Sequence, residues 1–226
     1  MNTKQTMTVA IAVAALIGLL IGCQPREAVD ETAVKNHQDT HRIEVTFTPG
    51  TIEGDRFTPD TSLPAITFTA DETTQWQQSQ PVQVRADIPY FVQLKHYGKK
   101  GDLLNGEYTT NGEDRIHQHF FIPVDYGDYD SPLDVIDYRY LDTDPWDAPF
   151  TTGAKVIGDK NPIGLKGVMR FKTAGLDFGI RVRLLHARGS KWNDKGEASP
   201  FYRPGNWTAN GQYDLDLRMP IQVLNQ

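Results

Sequence analysis

The sequence predicts a mainly β protein, an antiparallel β-sandwich of immunoglobulin-like or jelly-roll-like type, and three observations carry that expectation. From Arg42 onward apolar residues recur with period two, which places alternate side chains on opposite faces of a strand. Nineteen glycines and fourteen prolines interrupt these runs at short intervals, as expected of many strands joined by tight turns. No stretch past residue 22 sustains a 3.6-residue apolar period for more than a couple of turns. One apolar and one polar face per strand is the pattern of sheets packed face to face, here with about eight to ten strands.

Taken in order, Ile43, Val45 and Phe47 alternate with Arg42, Glu44 and Thr46, and Ile66 and Phe68 alternate with threonines. Val82 and Val84 form a short strand, and Tyr90, Val92 and Leu94 share one face of the next, with His96 continuing it. In Ile116-His117-Gln118-His119-Phe120-Phe121-Ile122 the two histidines fall on the face of Phe121. Leu133 and Val135 read as a strand opposed by Asp134 and Ile136, and Phe178, Ile180, Val182 and Leu184 share a face that His186 continues. The last run puts Tyr213, Leu215, Leu217, Met219, Ile221 and Val223 inward and Asp214, Asp216, Arg218 and Gln222 outward. Asn210-Gly211 supplies a hairpin signal before it, and Pro220 marks it as bulged or at an edge.

The N-terminus is of another kind. Lys4, an apolar run from Val9 to Leu20 and then Leu20-Ile21-Gly22-Cys23 describe an export signal, the run being too short to span a bilayer. Cys23 is the only cysteine, so it has no disulfide partner within the chain. Leu20-Ile21-Gly22-Cys23 resembles the lipobox of bacterial lipoproteins matured by the type II signal peptidase. The resemblance implies cleavage before Cys23, diacylation of its sulfur (palmitate among the chains) and acylation of the new amine. Gln24 after the cysteine resembles the enterobacterial pattern that sorts lipoproteins to the outer membrane. The chain then divides into a signal peptide over 1–22, a lipidated tether over 23–41 and one sandwich domain over 42–226. His37 and His41, in the polar tether, read as solvated residues.

Removing the signal takes Lys4 with it and moves the formal net charge from −6 to −7. A mildly acidic body without clustered Lys/Arg argues against nucleic acid as a partner. With Cys23 lipidated the domain has no thiol, so cysteine redox chemistry is excluded and a metal site must use His, Asp, Glu or backbone oxygen.

Two constellations can carry chemistry. His117-x-His119 on a strand presents two imidazoles one pleat repeat apart, a platform for an ion held at about 2.0–2.1 Å. His96 and His186, at the inward ends of their strands, are the supporting ligands, with Glu107, Glu113 or Asp114 as carboxylate options, for Zn²⁺, Cu²⁺ or Ni²⁺. Histidines satisfied in the core or exposed at the surface are the competing account. The second constellation is acidic: Asp125-x-x-Asp128-x-Asp130 is loosely compatible with Ca²⁺ but lacks the glycine and glutamate spacing of an EF-hand, and a solvated loop explains it more simply. Trp76, Trp146, Trp192, Trp207, Phe201 and Tyr202 near turns read as caps on the sandwich ends, with sugar stacking as the alternative.

No Gly-x-Ser-x-Gly elbow, His-Glu-x-x-His or phosphate loop is present, so the chain reads as a binding module and not an enzyme. The sequence therefore predicts a lipid-anchored protein of the cell envelope, at the outer membrane, that binds or delivers a transition metal. Its partners would be the membrane, through the lipid, and an outer-membrane transporter or envelope protein. A structural or adhesion module binding a glycan or protein through aromatic loops is the alternative.

Overall fold

A computed structural model describes residues 37–76, 80–150 and 153–225. The expected signal peptide, Cys23 and the expected tether as far as residue 36 lie outside the described residues. Among the described residues the compact unit begins at His37.

The protein is mainly β and builds a sandwich of two sheets. The larger contains β1 (Arg42–Glu53), β2 (Arg56–Pro59), β3 (Ile66–Asp71), β5 (Pro89–Tyr97), β7 (Ile136–Tyr140) and β8 (Lys166–Phe171). Their order is β2-β1-β5-β8-β7, with β3 on the same edge of β1 as β2 but further toward its start. The smaller sheet runs β4-β10-β9-β6, from β4 (Val82–Arg85), β6 (His117–Val124), β9 (Asp177–His186) and β10 (Gln212–Leu224). All pairings are antiparallel except β4 with β10, so the smaller sheet is mixed and not wholly antiparallel as expected.

The alternating pattern becomes the core directly. Ile43, Val45 and Phe47 of β1, Tyr90, Val92 and Leu94 of β5 and Met169 and Phe171 of β8 meet Ile180, Val182 and Leu184 of β9 and Leu217, Met219 and Ile221 of β10, all buried. Removing one such side chain from water contributes about 1.5–3 kcal/mol, so the match of the two inner faces holds the sheets together. At Pro220 the last strand is paired with Gly179 alone, because β4 joins only from Ile221; the missing donor falls where the strand is locally an edge.

Two local expectations are corrected. Leu133 and Val135 lie in a short helix, α1 (Pro132–Val135), because Ser131 and Asp134 form a reciprocal capping box that a strand could not make. The left-handed Asn-Gly pair is Asn111-Gly112, at φ +55° and +90°, whereas Asn210-Gly211 introduces β10 without positive φ.

Two buried polar groups fix the frame around the open edge of β6. Asp142 accepts backbone N–H groups from Ile163, Gly164, Leu165 and Lys166 at 2.8–3.1 Å, which shapes the loop that pairs with His119. Lys191, fully buried, donates from Nζ to the carbonyls of Pro162 and His117 at 2.8 and 3.1 Å; burial pushes its amine down to about 7. His119 N bonds Ile163 O and Phe121 N bonds Phe201 O, so loops cover the edge of β6 and its strand is buried on both faces.

Candidate metal centre

Three strand ends of the smaller sheet converge at one rim of the sandwich. His117 of β6 and His186 of β9 are register partners, and neighbours of this kind bring side chains together: the ring centroids are 4.6 Å apart. On the other side of β9, His186 pairs with Gln212 and Leu184 with Leu215, so the register slips between Tyr213 and Leu215 and Asp214 is the extra residue. The bulge reverses the alternation at this point. Tyr213, expected inward, is 38% exposed; Asp214, expected outward, has a side chain only 4% exposed and faces the two histidines. The fourth member is His37, its side chain fully buried, from the segment before β1. The tether reading of His37 is therefore corrected, while His41 stays partly exposed beside Glu72.

The four ligand atoms are His37 Nε2, His117 Nε2, His186 Nδ1 and Asp214 Oδ2, all within 4.8 Å of one another. Asp214 Oδ2 is nearly equidistant from the three nitrogens, at 3.1, 3.3 and 3.2 Å, and His37 Nε2 lies 3.2 Å from His186 Nδ1. A tetrahedron with metal bonds of about 2.0–2.1 Å has edges of about 3.3–3.4 Å, close to these values. A square plane would set one nitrogen trans to the carboxylate at about 4 Å, and none of the three is.

Hydrogen bonds on the far side of two rings fix their tautomers. His117 Nδ1 donates to Glu113 O at 2.9 Å and His37 Nδ1 to Gln38 O at 3.1 Å, which leaves Nε2 of each with a lone pair directed at the Asp214 carboxylate. Lone pair facing lone pair is repulsive unless a cation, a proton on each ring or one metal ion, sits between. Burial lowers the His117 pKa against the opposing effects of Asp214 and the Glu113 carbonyl, so protons are disfavoured there. Burial pushes the Asp214 carboxyl up, but the three imidazoles of His117, His186 and His37 around it outweigh that effect and hold the group well below the usual range, so it is ionised. A donor set of three imidazoles and a carboxylate suits a divalent transition ion.

His96 and His119 do not join this group. They meet each other across the sandwich, Nε2 to Nε2 at 2.8 Å, both fully buried. His119 Nδ1 donates to Ile163 O at 2.7 Å, so its Nε2 accepts from His96 Nε2; His96 Nδ1 then accepts from Thr40 Oγ1 at 2.9 Å, and Tyr108 Oη donates to Thr40 Oγ1 at 2.7 Å. Burial lowers both pKa values, that of His96 well below the usual range and that of His119 to about 4. The pair is a neutral, satisfied core element. Tyr108 links the two groups, its ring edge-on to His37, His96 and His117 at centroid distances of 4.9–5.2 Å.

Of the expected ligands, the structure brings His117 and His186 to the centre and leaves His96 and His119 beside it. The carboxylate options are also corrected. Glu113 offers its backbone oxygen to His117, Glu107 binds the amide of Gln38, and Asp114 accepts from Asn161 at 2.7 Å. Among the described residues Asp125, Asp128 and Asp130 form no convergent group of side-chain ligands, and Asp125 pairs with Arg218 at 2.6 Å. Trp76, Trp146 and Tyr202 pack against the core, with Phe201 inside it; Trp207 is 43% exposed. No helix among the described residues is long and apolar enough to cross a membrane.

The two members that sequence reasoning missed differ in kind. Asp214 needed the bulge, for which the period-two pattern carries no signal. His37 lies outside any strand, where periodicity says nothing.

Comparison with protein-family models, curated proteins and solved structures gives no significant match to this chain.

Proposed function

We propose that this protein binds one divalent transition-metal ion, Zn²⁺ in the first instance, through His37, His117, His186 and Asp214. The observation that carries the reading is the equidistance of Asp214 Oδ2 from three ring nitrogens, two of them with lone pairs turned toward it. Four protein ligands around one ion are the form of a holding site, because catalytic zinc keeps a position for water or substrate. A binding or delivery protein therefore fits the geometry better than an enzyme. The lipobox-like leader extends the proposal to location: a domain tethered by lipid at Cys23 to the cell envelope, most simply the outer membrane, handing its ion to an envelope transporter.

The experiment is calorimetric titration of detergent-solubilised, chelator-stripped full-length protein with Zn²⁺. One equivalent should bind, and a His117→Ala, Asp214→Ala double variant that remains folded by circular dichroism should not bind it. Undiminished binding in that variant rejects the site.

A further inference from the structure

The His117 ring is held from both ends. Its Nε2 faces Asp214 Oδ2 at 3.3 Å, and its Nδ1 meets Glu113, four residues earlier, at two points. The backbone oxygen of Glu113 accepts from Nδ1 at 2.9 Å, and Oε2 of the same residue lies 3.5 Å from that nitrogen. Turn chemistry sets this up. Asn111 and Gly112, both at positive φ, lead into a one-turn 3₁₀ helix over Glu113–Arg115, and the Glu113 carbonyl also takes the N–H of Ile116 at 3.1 Å. The backbone of Glu113 is thus fixed by the turn and by the ring, and its side chain is buried beside His117.

That burial is unfavourable by itself. Among the described residues Glu113 Oε2 has no hydrogen-bond partner, and the one group able to carry positive charge within 4 Å of it is the His117 ring. Lys191, whose ammonium holds the His117 carbonyl, has Asp142 and Asp114 as its electrostatic partners instead. A buried carboxylate oxygen without a donor costs free energy, and positive charge on the adjoining ring offsets that cost. An ion on Nε2 supplies such charge, because it draws electron density through the imidazole toward itself and leaves Nδ1–H more positive.

We infer that Glu113 is a positioning and charge-balancing residue for the ion, acting through His117, and that its negative charge favours divalent over monovalent ions at this centre. This rests on the metal-binding reading above. Asp214 offsets one of the two charges of such an ion, and Glu113 supplies a second carboxylate on the far side of a ligand ring. Coulombic attraction is proportional to the charge on the ion. Loss of the Glu113 charge therefore costs a divalent ion about twice as many decades of affinity as a monovalent one.

The test uses full-length protein in detergent and competition with a fluorescent chelator for Zn²⁺. Glu113→Gln keeps the shape and removes the charge, and should lower affinity about 10–100-fold. Glu113→Asp keeps the charge on a shorter stem and should recover more than half of that loss on a logarithmic scale. A change within two-fold in Glu113→Gln, or an equal loss in both variants, overturns the proposal. Copper reads the charge preference directly. Cu²⁺ binds nitrogen and oxygen donors more tightly than Zn²⁺ does, and the potential of bound copper reports the ratio of its Cu⁺ and Cu²⁺ affinities. With any free Cys23 thiol alkylated, a 100-fold loss for Cu²⁺ beside a ten-fold loss for Cu⁺ raises the potential by about 59 mV in Glu113→Gln. An unchanged or lowered potential overturns the proposal. Metal-free Glu113→Gln should fold, with a urea midpoint close to or above that of the wild type; failure to fold also overturns it, because the carboxylate would then be holding the structure and not the ion. Absence of Zn²⁺ binding in the wild type, or its retention by His117→Ala, rejects the underlying site instead.

Discussion

Asp214 Oδ2 lies 3.2 Å from His186 Nδ1, although the register partner of His186 is Gln212. The extra residue that lets Asp214 turn inward is thus also what delivers the carboxylate to the site. Asp214→Asn keeps the shape and removes the charge, leaving a neutral amide among the rings. We expect Zn²⁺ affinity to fall by at least about 100-fold, beyond the 10–100-fold typical of lost supporting contacts. Competition with a fluorescent chelator measures it.

Metal should stabilise the fold by mass action. An ion that binds only the folded chain adds about 2.7 kcal/mol at a free concentration 100 times the dissociation constant. Thermal unfolding of the wild type should therefore move up with added Zn²⁺, and the shift should vanish in the Asp214→Asn variant.

Acid should destabilise the metal-free protein through His96 and His119. Both have folded-state pKa values below that of a free histidine, about 4 for His119, because burial disfavours the charged ring. A group of this sign binds its proton more readily in the unfolded chain, so its effect on stability is constant above about pH 6.5 and becomes unfavourable as pH falls from there toward 4. His119 alone accounts for up to about 3 kcal/mol over that window. Urea midpoints should be flat from pH 7 to 8 and fall below pH 6.5, with a shallower fall in a His119→Gln variant that retains the fold.

The link between the centre and the neutral pair can be cut at Thr40. Thr40→Val preserves shape and deletes the hydroxyl that bonds His96 Nδ1 and Tyr108 Oη. Leaving two buried polar atoms unpaired should cost about 1–3 kcal/mol by chemical denaturation. Zn²⁺ affinity should change far less than in Asp214→Asn, because no ligand atom is lost.

Gly164 tests how closely the loop after Asp142 must approach β6. Its φ is +87°, and an added Cβ would lie 2.7 Å from the Cβ of His119. Gly164→Ala therefore combines left-handed strain of about 1–2 kcal/mol with a steric conflict that His119 cannot relieve without breaking its bond to His96. A lowered denaturation midpoint with loss of slow amide exchange at His119 is the expected result.

The sandwich was legible because burial on one face imposes period two, and that pattern survives in β1, β5, β9 and most of β10. The site was legible only in part, for the same reason. His117 and His186 lie on faces that the alternation assigns correctly, but alternation cannot say which inward histidines meet. His119 faces His96 in the other sheet, a pairing set by how the sheets stack and invisible along either strand. At Asp214 one inserted residue inverts the rule locally, and for His37 no rule applied. Composition around α1 misled in the opposite direction: Leu133 and Val135 alternate like a strand, yet Ser131 and Asp134 close a helical turn.

The separation of the ligands along the chain has a consequence for assembly. His37 and His186 are 149 residues apart, and Asp214 comes later still, from the strand between β4 and β9 in the smaller sheet. Synthesised from the amino end, the protein carries its first ligand long before the last is made, and contacts of such range form late. Gathering all four groups of the proposed site thus requires a finished molecule: a partly folded intermediate, with β10 not yet in place, cannot present them together.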